Sequence, residues 1–174
     1  MAKSKDGILK RLGTIRVGVQ PRITSKEYFE EAGIVFMDKN FQTQFLGLEI
    51  KETNKDKGEF DIHNLGSQAS SALILKLLGV KVELSVSQFK QFLASRRETQ
   101  AWFIFFLRGL NGELWAVSVS RGYGPVSRDG WCVYANSFDY PHDWVASGQI
   151  VSLVSLSRRR SGLASLELWR SGKV

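Results

Sequence analysis

Trp102-Phe-Ile-Phe-Phe-Leu-Arg-Gly-Leu-Asn-Gly-Glu-Leu-Trp-Ala-Val-Ser-Val119 is the stretch on which the fold of this chain turns. Two runs rich in aromatic and β-branched residues, 102–107 and 114–119, flank Gly109-Leu110-Asn111-Gly112. Such runs fit a pleated, half-buried surface. Asn-Gly supplies the positive φ that a tight reversal needs. The stretch predicts a β-hairpin, and with it a sheet.

Working outward, the segments on either side supply helices and further strands. Residues 68–78 read as a helix, opened by Gly66-Ser67 and stopped by Gly79. Residues 80–84 alternate as a short strand. Ser85 or Ser87 then opens a second helix to about Arg97, with Phe89, Phe92 and Leu93 on one face. Further upstream, residues 14–19 read as a strand closed by Pro21. Thr24 and Glu27 have capping-box spacing, so residues 24–32 read as a helix that ends at Gly33. Residues 34–37 and 45–50 read as strands, with Asp38-Lys39-Asn40 as the turn between them. Residues 52–59 are charged, lack any apolar side chain and read as a loop. Downstream, residues 121–130 form a Gly/Ser/Pro-rich loop, 131–135 and 150–156 are strands, and 141–147 a helical turn. Residues 163–169 fit either type. The expected fold is α+β: a central mixed β-sheet flanked by helices, in one domain over 23–174 behind a basic arm, 1–22.

The totals agree with one domain. A chain of 174 residues, 43% hydrophobic, builds one ordinary core and falls short of two. Its strongest apolar run, 102–107, is stopped by Arg108 and is far too short for a bilayer. The N-terminus is basic but lacks the apolar segment of a secretory signal. A single cysteine, Cys132, excludes an internal disulfide framework. The expectation is an intracellular, cytoplasmic protein with no membrane partner. The net charge is +7, partitioned as +5 over residues 1–22, +4 over 158–174 and −2 over the remainder. Basic ends attract phosphate by releasing counterions, whatever the base sequence. Lys10, Arg11, Arg16, Arg158, Arg159 and Arg160, with Arg121 and Arg128 from the loop region, are therefore candidate contacts to nucleic acid.

One constellation suggests chemistry. Glu49 and Lys51 stand two apart on an expected strand and so share a face. A carboxylate beside an ammonium can hold a divalent cation and orient an attacking water. Asp38, at the end of the preceding strand, can supply the second carboxylate that Mg²⁺, an oxygen-seeking ion, requires. A metal so held generates hydroxide and stabilises the leaving oxygen of a phosphodiester. The alternative is that Glu49 and Lys51 form the wet face of an ordinary strand, with Leu46, Leu48 and Ile50 facing the core.

Asp38 followed by Glu49-Ile50-Lys51 resembles the motif of the PD-(D/E)xK nuclease superfamily. Lys51-Glu52-Thr53, then Phe60-x-Ile62-x-Asn64-Leu65 and Gln68, is similar to the stretch after the motif lysine in RecU-type Holliday-junction resolvases. Leu84-Ser85-x-Ser87-Gln88 leading into Phe92-Leu93 resembles the glutamine-bearing helix of several such nucleases. The likeness spans about residues 27–107, and Met37 stands where the family motif has proline. It implies a restriction-endonuclease-like core and metal-dependent DNA cleavage, with Asp38 and Glu49 on Mg²⁺ or Mn²⁺ and Lys51 assisting the nucleophile. Gln68 or Gln88 would support the site, and Glu27, Glu30 or Glu31 could add a carboxylate. Nucleases of this kind often act as homodimers, which the resemblance implies.

Other signals have plainer readings beside the chemical one. Trp131, Tyr134, Phe138, Tyr140 and Trp144 could stack unpaired bases, but such residues more often fill a core. Cys132 and His142, with Asp139 or Asp143, could pair as nucleophile and base, yet a lone cysteine on a strand is usually a small buried hydrophobe. His63 reads as a loop histidine, and no Cys/His spacing fits zinc. Three functions therefore compete: a metal-dependent DNA endonuclease, with branched DNA among its candidate substrates; a non-catalytic nucleic-acid-binding protein; and an assembly protein, for instance of a virion or nucleoid, whose basic ends meet packaged nucleic acid.

Overall fold

The computed structural model describes residues 24–48, 50, 59–97, 99–122, 129–140 and 143–154, and the backbone of residues 9–16. The elements run β1 (Leu9–Arg16), α1 (Lys26–Glu30), β2 (Ile34–Met37), α2 (Lys39–Phe45), β3 (Glu59–Leu65), α3 (Ser71–Leu78), a 3-10 turn (Gly79–Val82), β4 (Glu83–Leu84), α4 (Val86–Ala94), β5 (Phe103–Arg108), β6 (Leu114–Arg121), β7 (Trp131–Ser137) and β8 (Gln149–Leu153). The class is α+β with a mixed sheet, as expected.

The hairpin is the centre of the sheet. β5 and β6 pair antiparallel from Phe103↔Val119 to Arg108↔Leu114. The reversal closes with Gly109 N–H donating to Glu113 O (3.0 Å), and Gly112 takes φ 74°. The strand order is β1-β3-β8-β5-β6-β7-β2. β8 runs parallel to the first half of β5 and β4 to its last half, so both lie along one edge of that strand. Arg108 locks this corner. Its guanidinium forks onto both carboxylate oxygens of Glu83 (2.9 Å each) and donates to Gly112 O (2.7 Å).

β5 is apolar from Phe103 to Leu107 because both its faces are covered there. Phe103, Phe105 and Leu107 enter a larger core with α1, α2 and α4, where Phe29, Phe41, Phe45, Phe89 and Phe92 are all fully buried. Edge-to-face ring contacts tie this core together, as in Phe89–Phe105 (4.9 Å, 88°) and Phe92–Phe103 (5.0 Å, 82°). Ile104 and Phe106 point the other way, into a smaller core under α3 with Leu65, Ile74 and Ile150. α3 does not reach across the whole of this second face. Over β6, β7 and β2, Ser118, Ser120, Tyr134, Asn136 and Phe36 remain half-buried.

Local capping explains where the helices start. Ser85 accepts from Gln88 N–H (3.2 Å) and Gln88 Oε1 accepts from Ser85 N–H (2.8 Å), a complete capping box for α4. Ser70 Oγ caps α3 by accepting from Leu73 N–H (3.2 Å). α4 is buried from Val86 to Leu93, so even Lys90 is enclosed. Its ammonium meets Glu31 Oε2 (2.7 Å) and lies 3.7 Å above the Tyr28 ring.

Several expectations are corrected. The strand expected over residues 45–50 is not formed: Lys39–Phe45 is helical, Leu46-Gly47 turns, and neither Leu48 nor Ile50 lies in a strand. The reason lies in Asp38-Lys39-Asn40, which starts a helix instead of making a turn. Asp38 Oδ1 accepts from Phe41 N–H (2.8 Å), and Phe41 and Phe45, four apart, bury one face of that helix. α1 is capped by Ser25, not Thr24, whose hydroxyl donates to Leu48 O. Gln68 precedes α3 and is exposed, so it does not stand at a helix start. Residues 80–84 are mostly a 3-10 turn, with a strand of two residues. Trp144 makes a β-bridge with Ala69 in place of the helical turn expected over 141–147. The first strand covers Leu9–Arg16 where one was expected over 14–19, of which residues 17–19 lie outside the described residues. β3 had no counterpart among the expected strands, and it places His63 in the sheet with Nε2 3.0 Å from Ser152 Oγ.

Candidate functional site

Asp38 stands at the junction of β2 and α2, and its carboxylate is held in place by the backbone of two elements. Oδ1 accepts from Phe41 N–H at the start of α2 and from Ala135 N–H (3.2 Å) on the neighbouring β7. Its own N–H donates to Val133 O (3.0 Å), continuing the parallel pairing of β2 with β7. The adjacent Asn40 side chain donates to Ala135 O (3.1 Å). Among the described residues Oδ2 carries no hydrogen bond. The Tyr134 phenol on β7 is pushed up by partial burial, reinforced by Cys132 and by the Asp38 carboxylate.

The other residues expected beside Asp38 divide into three groups. Glu49 and Lys51 lie outside the described residues, as do Arg128 and Arg158, Arg159 and Arg160. Gln88 is buried and occupied in the α4 capping box, while Gln68 is exposed on the segment before α3. Of the three α1 carboxylates, Glu31 pairs with Lys90 and Glu30 with Lys26 (3.8 Å). The Ser25 hydroxyl and its own backbone N–H hold the Glu27 carboxyl below the usual carboxylate range. No group of three or more His, Cys, Asp or Glu residues is placed to hold a metal ion among the described residues.

Of the basic candidates, Lys10, Arg11 and Arg16 fall on β1, which forms one edge of the sheet opposite Asn64, His63 and Glu59 of β3. Arg121 is largely enclosed. Its Nη2 meets Asp129 Oδ1 (3.0 Å) and its guanidinium lies 5.5 Å from the Trp131 ring centroid. The aromatic group read as either core or platform splits between the two. Trp131 is core, Phe138 and Trp144 pack against the smaller core, and Tyr140 is half exposed. Cys132 is buried, and burial pushes its thiol up, which suits a small hydrophobe and not a nucleophile. His142 lies outside the described residues.

A second feature had no signature in the sequence. A cavity of about 200 Å³ opens beside α3 at the edge of the half-buried sheet face. Trp102, Trp144 and Tyr140 give it aromatic walls, and Ser71, Asn136 and Asp143 give it polar groups. Its rim is firmly built: Trp144 exchanges backbone hydrogen bonds with Ala69 (2.8 and 3.1 Å), and its indole N–H donates to Ser71 Oγ (2.9 Å). The two indoles are 6.1 Å apart and tilted by 53°. Three separate stretches of the chain, at Ser71, at Trp102 and over 136–145, meet here, so no spacing motif could have revealed it. The only hint was aromatic density between Trp131 and Trp144.

No family model, no curated protein and no solved structure matches this chain. No helix among the described residues is long and apolar enough to cross a membrane.

Proposed function

We propose that this chain binds nucleic acid, with DNA favoured, through phosphate contacts from its basic ends. The observation that carries this reading is the partition of charge: +5 over residues 1–22 and +4 over 158–174, around a central stretch of −2. A charge so concentrated attracts a polyanion. β1 brings Lys10, Arg11 and Arg16 to an edge of the sheet, where a backbone running alongside can be met. The test is fluorescence anisotropy of labelled single- and double-stranded DNA and RNA across a salt series. Affinity falls log-linearly with salt, and Arg158→Ala/Arg159→Ala/Arg160→Ala flattens the slope by about 0.7–0.9 for each phosphate no longer neutralised. Absence of binding at low salt would sink the proposal.

A second reading, the metal-dependent endonuclease with a restriction-endonuclease-like core, is favoured by one observation at Asp38. Two backbone amides hold its Oδ1, leaving Oδ2 unengaged among the described residues. A carboxylate fixed in orientation with one open oxygen suits a hard cation. Asp38 and Glu49 would then hold Mg²⁺ or Mn²⁺, which supplies the activated water, and Lys51 would assist the nucleophile. Addition of Mg²⁺ or chelator to the same labelled DNAs, with Lys51→Ala as control, separates cutting from binding. Intact DNA in every lane leaves the binding reading alone.

A further inference from the structure

We infer that the cavity between Trp102, Tyr140 and Trp144 is a site for one unpaired purine base, with guanine preferred. The inference rests on the nucleic-acid reading and deepens it by naming the part of the ligand that this chain reads. Three properties of the cavity select the occupant. Its volume, about 200 Å³, lies below the ~300–1,000 Å³ typical of sites for drug-sized ligands, so it suits one planar ring system and not a whole cofactor. Its walls are aromatic, and base–aromatic stacking works for any base because every base has a π-face. Among the described residues no Lys or Arg lines it and Asp143 does, so these walls favour a neutral ring over a phosphate group.

The polar groups choose among bases. The Asn136 amide offers a donor and an acceptor, and no described residue hydrogen-bonds to it. The Asp143 carboxylate accepts only and is exposed at the mouth. Guanine presents adjacent N1–H and N2–H donors to a carboxylate while its O6 accepts from an amide. Adenine has no such donor pair, and the pyrimidines offer less stacking area. Trp144 is pre-positioned, because its backbone is bridged to Ala69 and its indole N–H is bonded to Ser71. Little ordering is then required when the base enters. The neighbouring sheet face, with Ser118, Ser120, Tyr134 and Phe36 half-buried, offers a strand carrying that base a path along hydroxyls and the tilted Phe36–Tyr134 ring pair (5.4 Å). The chain's net charge of +7 favours a polyanion over a cationic partner.

Trp102 and Trp144 report on their own cavity, so tryptophan emission is the measurement. The probes are guanosine monophosphate and short oligothymidines with one central guanosine, adenosine or abasic site. The variants are Tyr140→Ala and Asp143→Asn, both at exposed positions, with circular dichroism confirming that the fold is retained. The inference expects saturable quenching by guanosine monophosphate, and about tenfold tighter binding of the guanosine oligomer than of the abasic one. Tyr140→Ala abolishes the quenching and the difference. Asp143→Asn removes the preference for guanosine over adenosine. Salt-dependent binding of all three oligomers with equal affinity would overturn the cavity inference and leave the basic-end reading standing. Quenching by guanosine monophosphate with no binding of any oligomer would overturn the nucleic-acid reading and this inference with it, leaving the cavity as a site for a free nucleotide. A response to tetramethylammonium and none to guanosine monophosphate would overturn the inference and assign the aromatic walls to a quaternary cation.

Discussion

Replacing Asp38 by alanine and by asparagine separates what its carboxylate does for the fold from what it could do for chemistry. Its Oδ1 serves two backbone donors, Phe41 N–H at 2.8 Å and Ala135 N–H at 3.2 Å. Alanine removes the acceptor that both share. Loss of the helix N-cap costs about 1 kcal/mol. Ala135 is buried, and a buried N–H left without an acceptor costs about 1–3 kcal/mol. The expected destabilisation is therefore about 2–4 kcal/mol. Asparagine keeps an oxygen at the Oδ1 position and is itself a good N-cap, so it forfeits only the attraction of a negative charge to the helix N-terminus, about 0.3–1 kcal/mol. The assay is urea unfolding followed by tryptophan emission, read as the shift in midpoint at constant slope. If Asp38→Asn costs as much as Asp38→Ala, the charge and not the hydrogen-bond geometry holds this junction. If Asp38→Ala costs under about 0.5 kcal/mol, the cap and bridge contribute nothing measurable. The same pair bears on catalysis. A metal ligand fails on conversion to the neutral amide, so a nuclease would lose cleavage in Asp38→Asn while staying folded.

Two further predictions concern packing and pH. A Cβ at Gly130 would run into the Val35 side chain and stand 2.8 Å from Gly33 O. Gly130→Ala should therefore cost about 1–3 kcal/mol as overpacking, and Val35→Ala in the same chain should recover part of it; an unchanged denaturation midpoint for Gly130→Ala would contradict this close approach. Burial raises the Cys132 thiol, with partial burial raising Tyr134 as well. The unfolded thiol ionises first, so this contribution to stability is complete below about pH 8.5 and is lost as pH climbs toward the folded value. Stability measured from pH 7 to 10 should fall, and Cys132→Ala should reduce the fall; a slope unaffected by Cys132→Ala would show that the thiol is not its source.

What the sequence determined unaided was local. The β5–β6 hairpin follows from two apolar runs around Asn111-Gly112, and the α4 start was legible to within Ser85 or Ser87, the Ser85–Gln88 capping box deciding for Ser85. Gly33 and Gly79 end their helical stretches with positive φ, 82° and 68°. Each of these depends on neighbours within a few residues, which is the range over which turn geometry and capping act. The partition of charge is equally legible, because it needs no coordinates. Tertiary structure decided the rest. β3 was unreadable because His63 and Asn64 break its apolar alternation, and it is a strand through the partners on its two sides, β1 and β8. Residues 38–40 read as a turn and 45–50 as a strand, whereas Asp38 meets both Phe41 and the distant Ala135, a bond across ninety-seven positions, and a helix covers Lys39–Phe45. The order of the parallel pairs β2–β7 and β5–β8 likewise reflects which faces are buried against which helices. The candidate cavity is the extreme case. Ser71, Trp102 and the 136–145 stretch come from three separate places in the chain. They meet only because the smaller core packs α3 and the 143–148 segment against one face of β5. Short-range rules place residues on elements, whereas burial of apolar surface, which is non-directional, decides which elements meet.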